Sequence, residues 1–256
     1  MKFKSTFQAC SADYSGYVNP TVMMRTINEG VAKRNYLDGV GFEHLYPTIG
    51  VTWMLGQCVM EFKKAIPTAT EVEMETGGHE QFGVSVVRRS VMYYNGEEAM
   101  TFATKLLPVY FQERKVVPPE VLEPFWKTSA EPCGEPISFI HLPENMTSVE
   151  QYRVHYRDCD SNKHMTAFRY LDLILEAVDY WSGELHLAER IQIDYKKECL
   201  PGDVLDIRLG KENGIQYCSG VKEDGTVSFN AAVKLSAKVT MPADIFQILL
   251  FVCDLH

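Results

Sequence analysis

An internal repeat limits the fold of this chain more than any other feature of its sequence. Residues 60–72 read MEFKKAIPTATEV and residues 193–204 read IDYKKECLPGDV. Each segment has an aromatic residue, two lysines, a proline and an acidic residue before a valine. Residues 93–106 (YYNGEEAMTFATKL) match residues 221–235 (VKEDGTVSFNAAVKL). The spacings, 133 residues for the first match and 129 for the second, agree closely enough to predict two copies of one unit.

Each copy shows the same predicted order of elements. Apolar residues recur at helical spacing over residues 20–36 and again over residues 166–181. About four strands follow each helix, with an Asn-Gly or Asp-Gly hairpin before the last long strand. Six prolines within residues 118–143 predict a linker between the copies. We therefore expect an N-terminal domain over residues 1–117, a linker over 118–146 and a C-terminal domain over 147–256.

A long helix followed by an antiparallel sheet, without alternation of strand and helix, is typical of the α+β class. The second helix is apolar over much of its surface, so the sheet is expected to wrap around it. That arrangement is called a hotdog. The chain is predicted to be a tandem (double) hotdog.

Composition argues against several classes of function. With 34 acidic against 25 basic residues and a net charge of -9, general affinity for nucleic acid or an anionic membrane is not expected. Seven cysteines without C-x-x-C spacing favour free thiols in a reducing cytoplasm. The first residues, MKFKSTFQACSADYSG, contain no apolar h-region, so a signal peptide is not expected. The longest apolar run, residues 245–252, is too short for a membrane span and is expected to form a terminal strand or helix.

The most informative segment is residues 156–165, YRDCDSNKHM, just before the second helix. It places Asp160, Asn162 and His164 at alternate positions, which face one side if the segment is extended. Free N–H groups at the start of a helix can hold a developing oxyanion. The alternative is structural: an Asp or Asn caps the helix and the histidine lies at the surface.

Comparison of the copies favours catalysis over capping. Aligning Asp158 with Asp13 places Ser15, Tyr17 and Asn19 opposite the three polar residues, and the Lys-Lys pairs place Ala65 opposite Glu198. On this alignment the first copy lacks every acidic or basic group of the cluster. A catalytic set is needed only once, whereas a cap required for folding is expected in both copies.

At these residues the sequence resembles the acyl-acyl-carrier-protein (acyl-ACP) thioesterases of plants and bacteria, which are double-hotdog enzymes. DCDSNKHMTAFRYLDLILEA resembles the family's D-x-D-x-N-x-H and the helix after it, and IDYKKEC resembles its aliphatic-x-Tyr-x-x-Glu-Cys strand. WMLGQCVMEFKKAIP resembles the Trp-bearing strand of the family's N-terminal hotdog. The likeness covers about residues 3–240. One departure is His164-Met165-Thr166-Ala167, where the family usually has His-Val-Asn-Asn.

The resemblance implies catalytic roles for Asp160, Asn162, His164 and Glu198. The chemistry of thioester hydrolysis allows Asp160 to act as general base or as nucleophile, and the sequence leaves both open. Asn162 would position water or polarise the carbonyl, His164 would donate or shuttle a proton, and Glu198 would orient His164 or help to bind water. Cys199 is a competing nucleophile, but strand alternation points it away from Glu198.

Apolar residues of the first copy have two interpretations, whereas the remaining histidines have only one. Apolar side chains of the first copy form either ordinary core or, as the family implies, an acyl-chain pocket; they are Met23, Ile27, Trp53, Met54 and Met60. The remaining histidines are dispersed, and no nucleotide-binding motif occurs, so neither a metal nor a cofactor is expected.

The leading hypothesis is an acyl-ACP thioesterase that releases free fatty acid and ends chain elongation. The alternatives are an acyl-CoA thioesterase, a non-catalytic acyl-binding protein and, less favoured, a dehydratase. Because acyl carrier protein is acidic, its docking requires a local basic surface. Four pairs are candidates: Lys63-Lys64, Arg88-Arg89, Arg114-Lys115 and Lys196-Lys197. Two hotdogs in one chain make a monomer plausible, with a homodimer as the alternative.

Overall fold

The computed structural model describes residues 1–13, 15–125, 136–160, 162–178 and 186–236. The first copy begins with a short strand, continues with two helices and ends with a run of strands. These elements are β1 (Lys2–Phe7), α1 (Pro20–Leu37), α2 (Phe42–Ile49), β2 (Val51–Phe62), β3 (Thr70–Phe82), β4 (Ser85–Tyr94), β5 (Glu97–Tyr110) and β6 (Lys115–Val116). The helix predicted over residues 20–36 is confirmed as α1.

The second copy repeats the order of strand, helix and four strands. Its elements are β7 (Thr147–Arg153), α3 (Ala167–Ala177), β8 (Ala188–Tyr195), β9 (Val204–Glu212), β10 (Ile215–Lys222) and β11 (Val227–Leu235). The helix predicted over residues 166–181 begins as expected, but residues 179–181 lie outside the described residues. The apolar run 245–252 also lies outside them. The sequence interpretation missed α2 and the first strand of each copy.

All strands belong to one antiparallel sheet with the order β1-β3-β4-β5-β2-β8-β11-β10-β9-β7, and β6 pairs with the edge of β5. Each copy has its strands in the same order when they are followed from the outer edge of the sheet toward its centre. The copies meet at the centre, where β2 pairs with β8. In that pair Gln57 lies opposite Asp194 and Glu61 opposite Arg190. In the repeat Gln57 corresponds to Arg190 and Glu61 to Asp194, each 133 residues apart, so the two pairs exchange with each other under a pseudo-twofold axis at the β2–β8 junction.

The hairpins predicted from the Asn-Gly and Asp-Gly pairs are present at those positions. Asn95 and Gly96 join β4 to β5 with φ angles of 53° and 77°. A two-residue hairpin turn matches the twist of its strands when both residues have positive φ, and Asn-Gly adopts these φ values readily. In the second copy Gly225, with φ of 83°, lies in the turn between β10 and β11.

One apolar core joins the copies. Buried side chains of α1, such as Met24 and Ile27, belong to the same cluster as Leu171 and Ile174 of α3 and the inner faces of the strands. The two helices also contact each other. The α+β class is thus confirmed. None of the described helices is both long and apolar enough to cross a membrane.

The described part of the predicted linker packs against the β2–β8 junction. Asp194, which is fully buried, accepts hydrogen bonds from the backbone N–H of Ile140 (2.8 Å) and from Nε2 of Gln57 (2.7 Å). Nε2 of Gln192 donates to the carbonyl oxygen of Ser138 (2.7 Å). These bonds attach the segment after residue 135 to both copies at once.

Candidate active site

A tight turn carries the predicted polar cluster. The N–H of Asp160 donates to the carbonyl oxygen of His164 (3.0 Å), and Lys163 has a φ of 66°. Oδ1 of Asp160 accepts from the backbone N–H of Asn162 (2.8 Å), and the Asn162 amide lies 3.5 Å from Oδ2. The expectation of an extended segment with three side chains on one face is therefore wrong, because these local bonds close the chain into a turn.

The first copy contains the same turn. The N–H of Asp13 donates to the carbonyl oxygen of Tyr17 (2.9 Å), and the carbonyl oxygen of Asp13 accepts from Gly16 (3.0 Å). Oδ1 of Asp13 accepts from the N–H of Ser15 (2.7 Å). An isolated bridge closes each turn, between Ala12 and Val18 in one copy and between residues 159 and 165 in the other.

Because the two turns have the same backbone hydrogen bonds, they shift the sequence alignment of the two loops by two residues. Asp13 occupies the place of Asp160, with Ser15 in the place of Asn162 and Tyr17 in the place of His164. The inference that the first copy lacks every acidic group of the cluster is wrong at this one position. A carboxylate closes the turn in both copies, so the asymmetry between copies concerns the other positions.

The helix starts differ in a way that matters for anion binding. In the first copy Oδ1 of Asn19 caps α1 by accepting from the N–H of Thr21 (2.7 Å). In the second copy Thr166 is the N-cap of α3, and no side chain caps the helix. The capping interpretation of the polar cluster is therefore wrong. The start of α3 leaves N–H groups for another acceptor, such as an oxyanion.

His164 and Glu198 come together from two separate segments of the second copy. The N–H of Met165 donates to the carbonyl oxygen of Cys199 (2.9 Å), which places the residues before each of them side by side. Nε2 of His164 lies 3.3 Å from Oε2 of Glu198, and the two side chains are 19% and 27% exposed. Nη1 of Arg114, from the first copy, lies 4.0 Å from the same oxygen.

Cys199 points into the core. It is fully buried, and its Sγ lies 2.9 Å from Oγ of Ser228. Cys159 is half-buried, and its Sγ lies 3.7 Å from the carbonyl oxygen of His155. The alternation rule thus holds for the pair at 198 and 199: the carboxylate faces the histidine and the thiol faces away.

A cleft of about 500 Å³ contains most of these groups. Asp160, His164 and Glu198 line one wall, whereas Asn162 does not line the cleft and contacts Asp160 instead. Trp53 and Met54 line the opposite wall, which belongs to the first copy. The cleft therefore lies across the junction of the two copies.

The other candidate pocket residues lie elsewhere. Ile27 and Met60 are fully buried in the shared core. Met23, also buried, lines a separate cleft beside the end of β2. In the described part of the chain, no three His, Cys, Asp or Glu side chains are grouped as a metal site requires.

The basic pairs differ in how they are neutralised. Lys63 pairs with Glu98 and Lys64 with Glu97. Arg88 is buried beside Asp38 (3.4 Å). By contrast, the Lys196-Lys197 pair lines the cleft of His164. Among the described residues neither of these lysines forms an ion pair.

Sequence reasoning missed two features of this site. Arg114 was a candidate only for carrier docking, and its place beside Glu198 depends on the strand β6 hairpin, which carries little sequence signal. The uncapped start of α3 was also missed. Thr166 in place of an Asn at the N-cap was the available signal, because Thr caps less well than Asn.

Comparison with known proteins fits this geometry. Residues 142–237 match the family described as acyl-ACP thioesterase C-terminal domain. No curated protein sequence matches the chain. An acyl-ACP thioesterase from Bacteroides thetaiotaomicron has the same fold, with a TM-score of 0.81 at 16% identity over 92% of this chain and 97% of that one. The 12:0-ACP thioesterase from Umbellularia californica gives 0.79 at 14% identity over 92% and 96%.

The fold and the cleft at its junction define a double-hotdog protein with a thioesterase-type site. Residues 142–237 carry the C-terminal domain of the acyl-ACP thioesterases, and the whole chain shares its fold with the solved acyl-ACP thioesterases. The resemblance inferred from DCDSNKHM and IDYKKEC is thereby confirmed, and it makes the chain a thioester hydrolase.

Proposed function

We propose that Asp160, Asn162, His164 and Glu198 hydrolyse the thioester of fatty acyl-ACP, which releases free fatty acid and ends elongation. The observation that carries this proposal is the His164–Glu198 pair in a cleft at the uncapped start of α3. The equivalent positions of the first copy are Tyr17 and Ala65, so the pair is present once, as expected of a catalytic device.

Two first steps are compatible with the site. As a base, Asp160 takes a proton from water while the water oxygen bonds to the acyl carbonyl carbon. As a nucleophile, its carboxylate oxygen bonds to that carbon directly, and water later cleaves the resulting anhydride. In both, N–H groups at the start of α3 stabilise the oxyanion, the C–S bond breaks, and His164 gives a proton to the departing thiolate.

Glu198 and Asn162 support these groups. Glu198 holds the imidazole of His164 in the orientation for proton transfer, with Arg114 on the far side of its carboxylate. Asn162 holds the carboxylate of Asp160. Both contacts fix the geometry before substrate arrives, so less ordering is needed in the transition state.

The acyl chain lies against the wall formed by the first copy. Trp53 and Met54 line the active-site cleft directly. Ile27 and Met60 form the core layer beneath it, and Met23 lies in the separate cleft. Flexible methionine side chains suit an alkyl chain of variable length. We therefore assign residues 1–117 as the acyl-binding domain, 118–146 as linker and 147–256 as the catalytic domain.

The carrier docks at the mouth of the active-site cleft. Lys196 and Lys197 line this cleft, and Arg114, which precedes Lys115, lies beside Glu198, while Lys63 and Lys64 are neutralised by glutamates. An acidic carrier protein is attracted to the side of an acidic enzyme where positive charge is uncompensated. We place the enzyme in the cytoplasm, as its free cysteines favour, and expect a monomer or homodimer.

The test is thiol release from a series of acyl-ACPs and the matching acyl-CoAs. We expect turnover of acyl-ACP that is lost in Asp160→Asn and retained in Cys199→Ala. Preference for acyl-CoA would identify a different thioesterase. Absence of turnover on every thioester would leave a non-catalytic acyl-binding protein as the function to pursue.

A further inference from the structure

A second cleft of about 450 Å³ lies beside the end of β2 and the start of β8. Tyr17, Phe62 and Ala65 line one wall, and Leu187 and Ala188 line the other. We call it the twin cleft. It shares no lining residue with the active-site cleft, and of the side chains to which the proposed function gives a role in catalysis, acyl binding or carrier docking only Met23 lines it.

The twin cleft is the pseudo-symmetry mate of the active-site cleft. Tyr17 occupies the place of His164, as the matching turns show. Ala65 occupies the place of Glu198, because the carbonyl oxygen of the next residue, Ile66, accepts from Val18 as that of Cys199 accepts from Met165. Phe62 corresponds to Tyr195.

The opposite walls correspond as well. Leu187 and Ala188 follow Met54 and Leu55 by 133 residues, the spacing of the repeat. The walls named here are thus related by the axis through the β2–β8 junction, and the two clefts have volumes of about 450 and 500 Å³. A cavity with the shape of a thioester site, but without its histidine and glutamate, can bind an acyl group without cleaving it.

The chemistry of the twin cleft favours an acyl chain without a carrier. Lys63 and Lys64 at its edge are neutralised by Glu98 and Glu97, so an acidic carrier protein gains little there. Phe62, Leu187 and Ala188 give the cleft an apolar side, and Lys63, Lys64 and Glu189 give it a charged one. Tyr17 replaces the histidine with a hydroxyl, and burial raises its pKa, so it remains a hydrogen-bond donor to a carboxylate at physiological pH.

We propose that the twin cleft binds a free fatty acid, with the alkyl chain against Leu187 and Ala188 and the carboxylate at the Tyr17 hydroxyl. The choice of ligand rests on the proposed function, since fatty acid is the product released at the active site. The enzyme would then hold its product at a place where no hydrolysis occurs.

The experiment is titration calorimetry with octanoate, dodecanoate and hexadecanoate. Ala65→Trp fills the twin cleft, and Leu187→Trp fills it from the opposite wall. We expect each variant to lose one equivalent of fatty acid and to keep thiol release from acyl-ACP within about twofold of the unmodified chain. Glu198→Trp is the matched control, because it fills the symmetry-related position and is expected to lose hydrolysis.

A second measurement does not depend on variants. A fatty acid with a diazirine at the end of its alkyl chain, photolysed on the unmodified chain, is expected to label the peptide that carries Leu187 and Ala188. Unchanged stoichiometry in both tryptophan variants, or labelling confined to the active-site cleft, would overturn the inference. Loss of one equivalent without any thioester hydrolysis would support the twin cleft and refute the proposed function, so the two failures are distinguishable.

Discussion

Replacement of Glu198 by Gln tests whether the charge beside His164 contributes to catalysis. Oε2 of Glu198 lies 3.3 Å from Nε2 of His164. At an effective dielectric constant of about 20, two unit charges at this distance interact by about 5 kcal/mol. Both side chains are partly exposed, so water screens the pair and reduces the attraction between the carboxylate and a protonated imidazole to about 1.5–3 kcal/mol. We therefore expect kcat to fall by about 10- to 100-fold.

The assay is steady-state thiol release from acyl-ACP at saturating substrate, with the thermal midpoint measured beside it. Gln keeps the size of the side chain, so KM and thermal midpoint are expected to change little. Cys199→Ala is the control one residue away, and we expect it to keep kcat because its thiol faces Ser228 in the core. A Glu198→Gln variant with unchanged kcat would refute the positioning role of the carboxylate.

Three further predictions follow from named contacts. Asp160→Asn is expected to lower kcat by at least about 100-fold, whereas Asp13→Asn at the equivalent turn leaves kcat unchanged; equal losses in thiol-release assays would mean a structural effect. Burial raises the pKa of Cys58 and of Cys218 to about 12, so their contribution to stability is complete below about pH 9 and is lost as the pH rises toward 12. Urea unfolding at pH 8 and pH 11 measures this loss of stability, and replacement of both cysteines by alanine should reduce the loss. Asp194→Ala leaves buried donors unpaired and is expected to cost about 2–4 kcal/mol in the free energy of unfolding measured with urea, while an unchanged midpoint would contradict the role of this carboxylate in holding the linker.

Much of the fold was contained in local patterns of the sequence. The repeat, the helical spacing of α1 and the Asn95-Gly96 turn are short-range signals, and each predicted an element that the structure confirms. The strands β1 and β7 were missed because they are short and mostly polar. Their positions at the two edges of the sheet are decided by pairing with residues far along the chain.

For the candidate site the sequence identified the residues but not their geometry. DCDSNKHM and YKKEC named Asp160, His164 and Glu198 because residue type and spacing are local properties. The turn at Asp160 was predicted as extended, since hydrogen bonds between side chain and backbone have no period that a pattern can show.

Only the tertiary structure decided how the two copies are arranged and which of their residues meet in each cleft. The sequence determined that two copies exist and that only one carries the histidine and glutamate. The pairing of β2 with β8 decided that each cleft takes one wall from each copy, and it placed Arg114 of the first copy beside Glu198 of the second. Such contacts depend on the register between distant strands, which is fixed by packing across the whole sheet and not by any one segment.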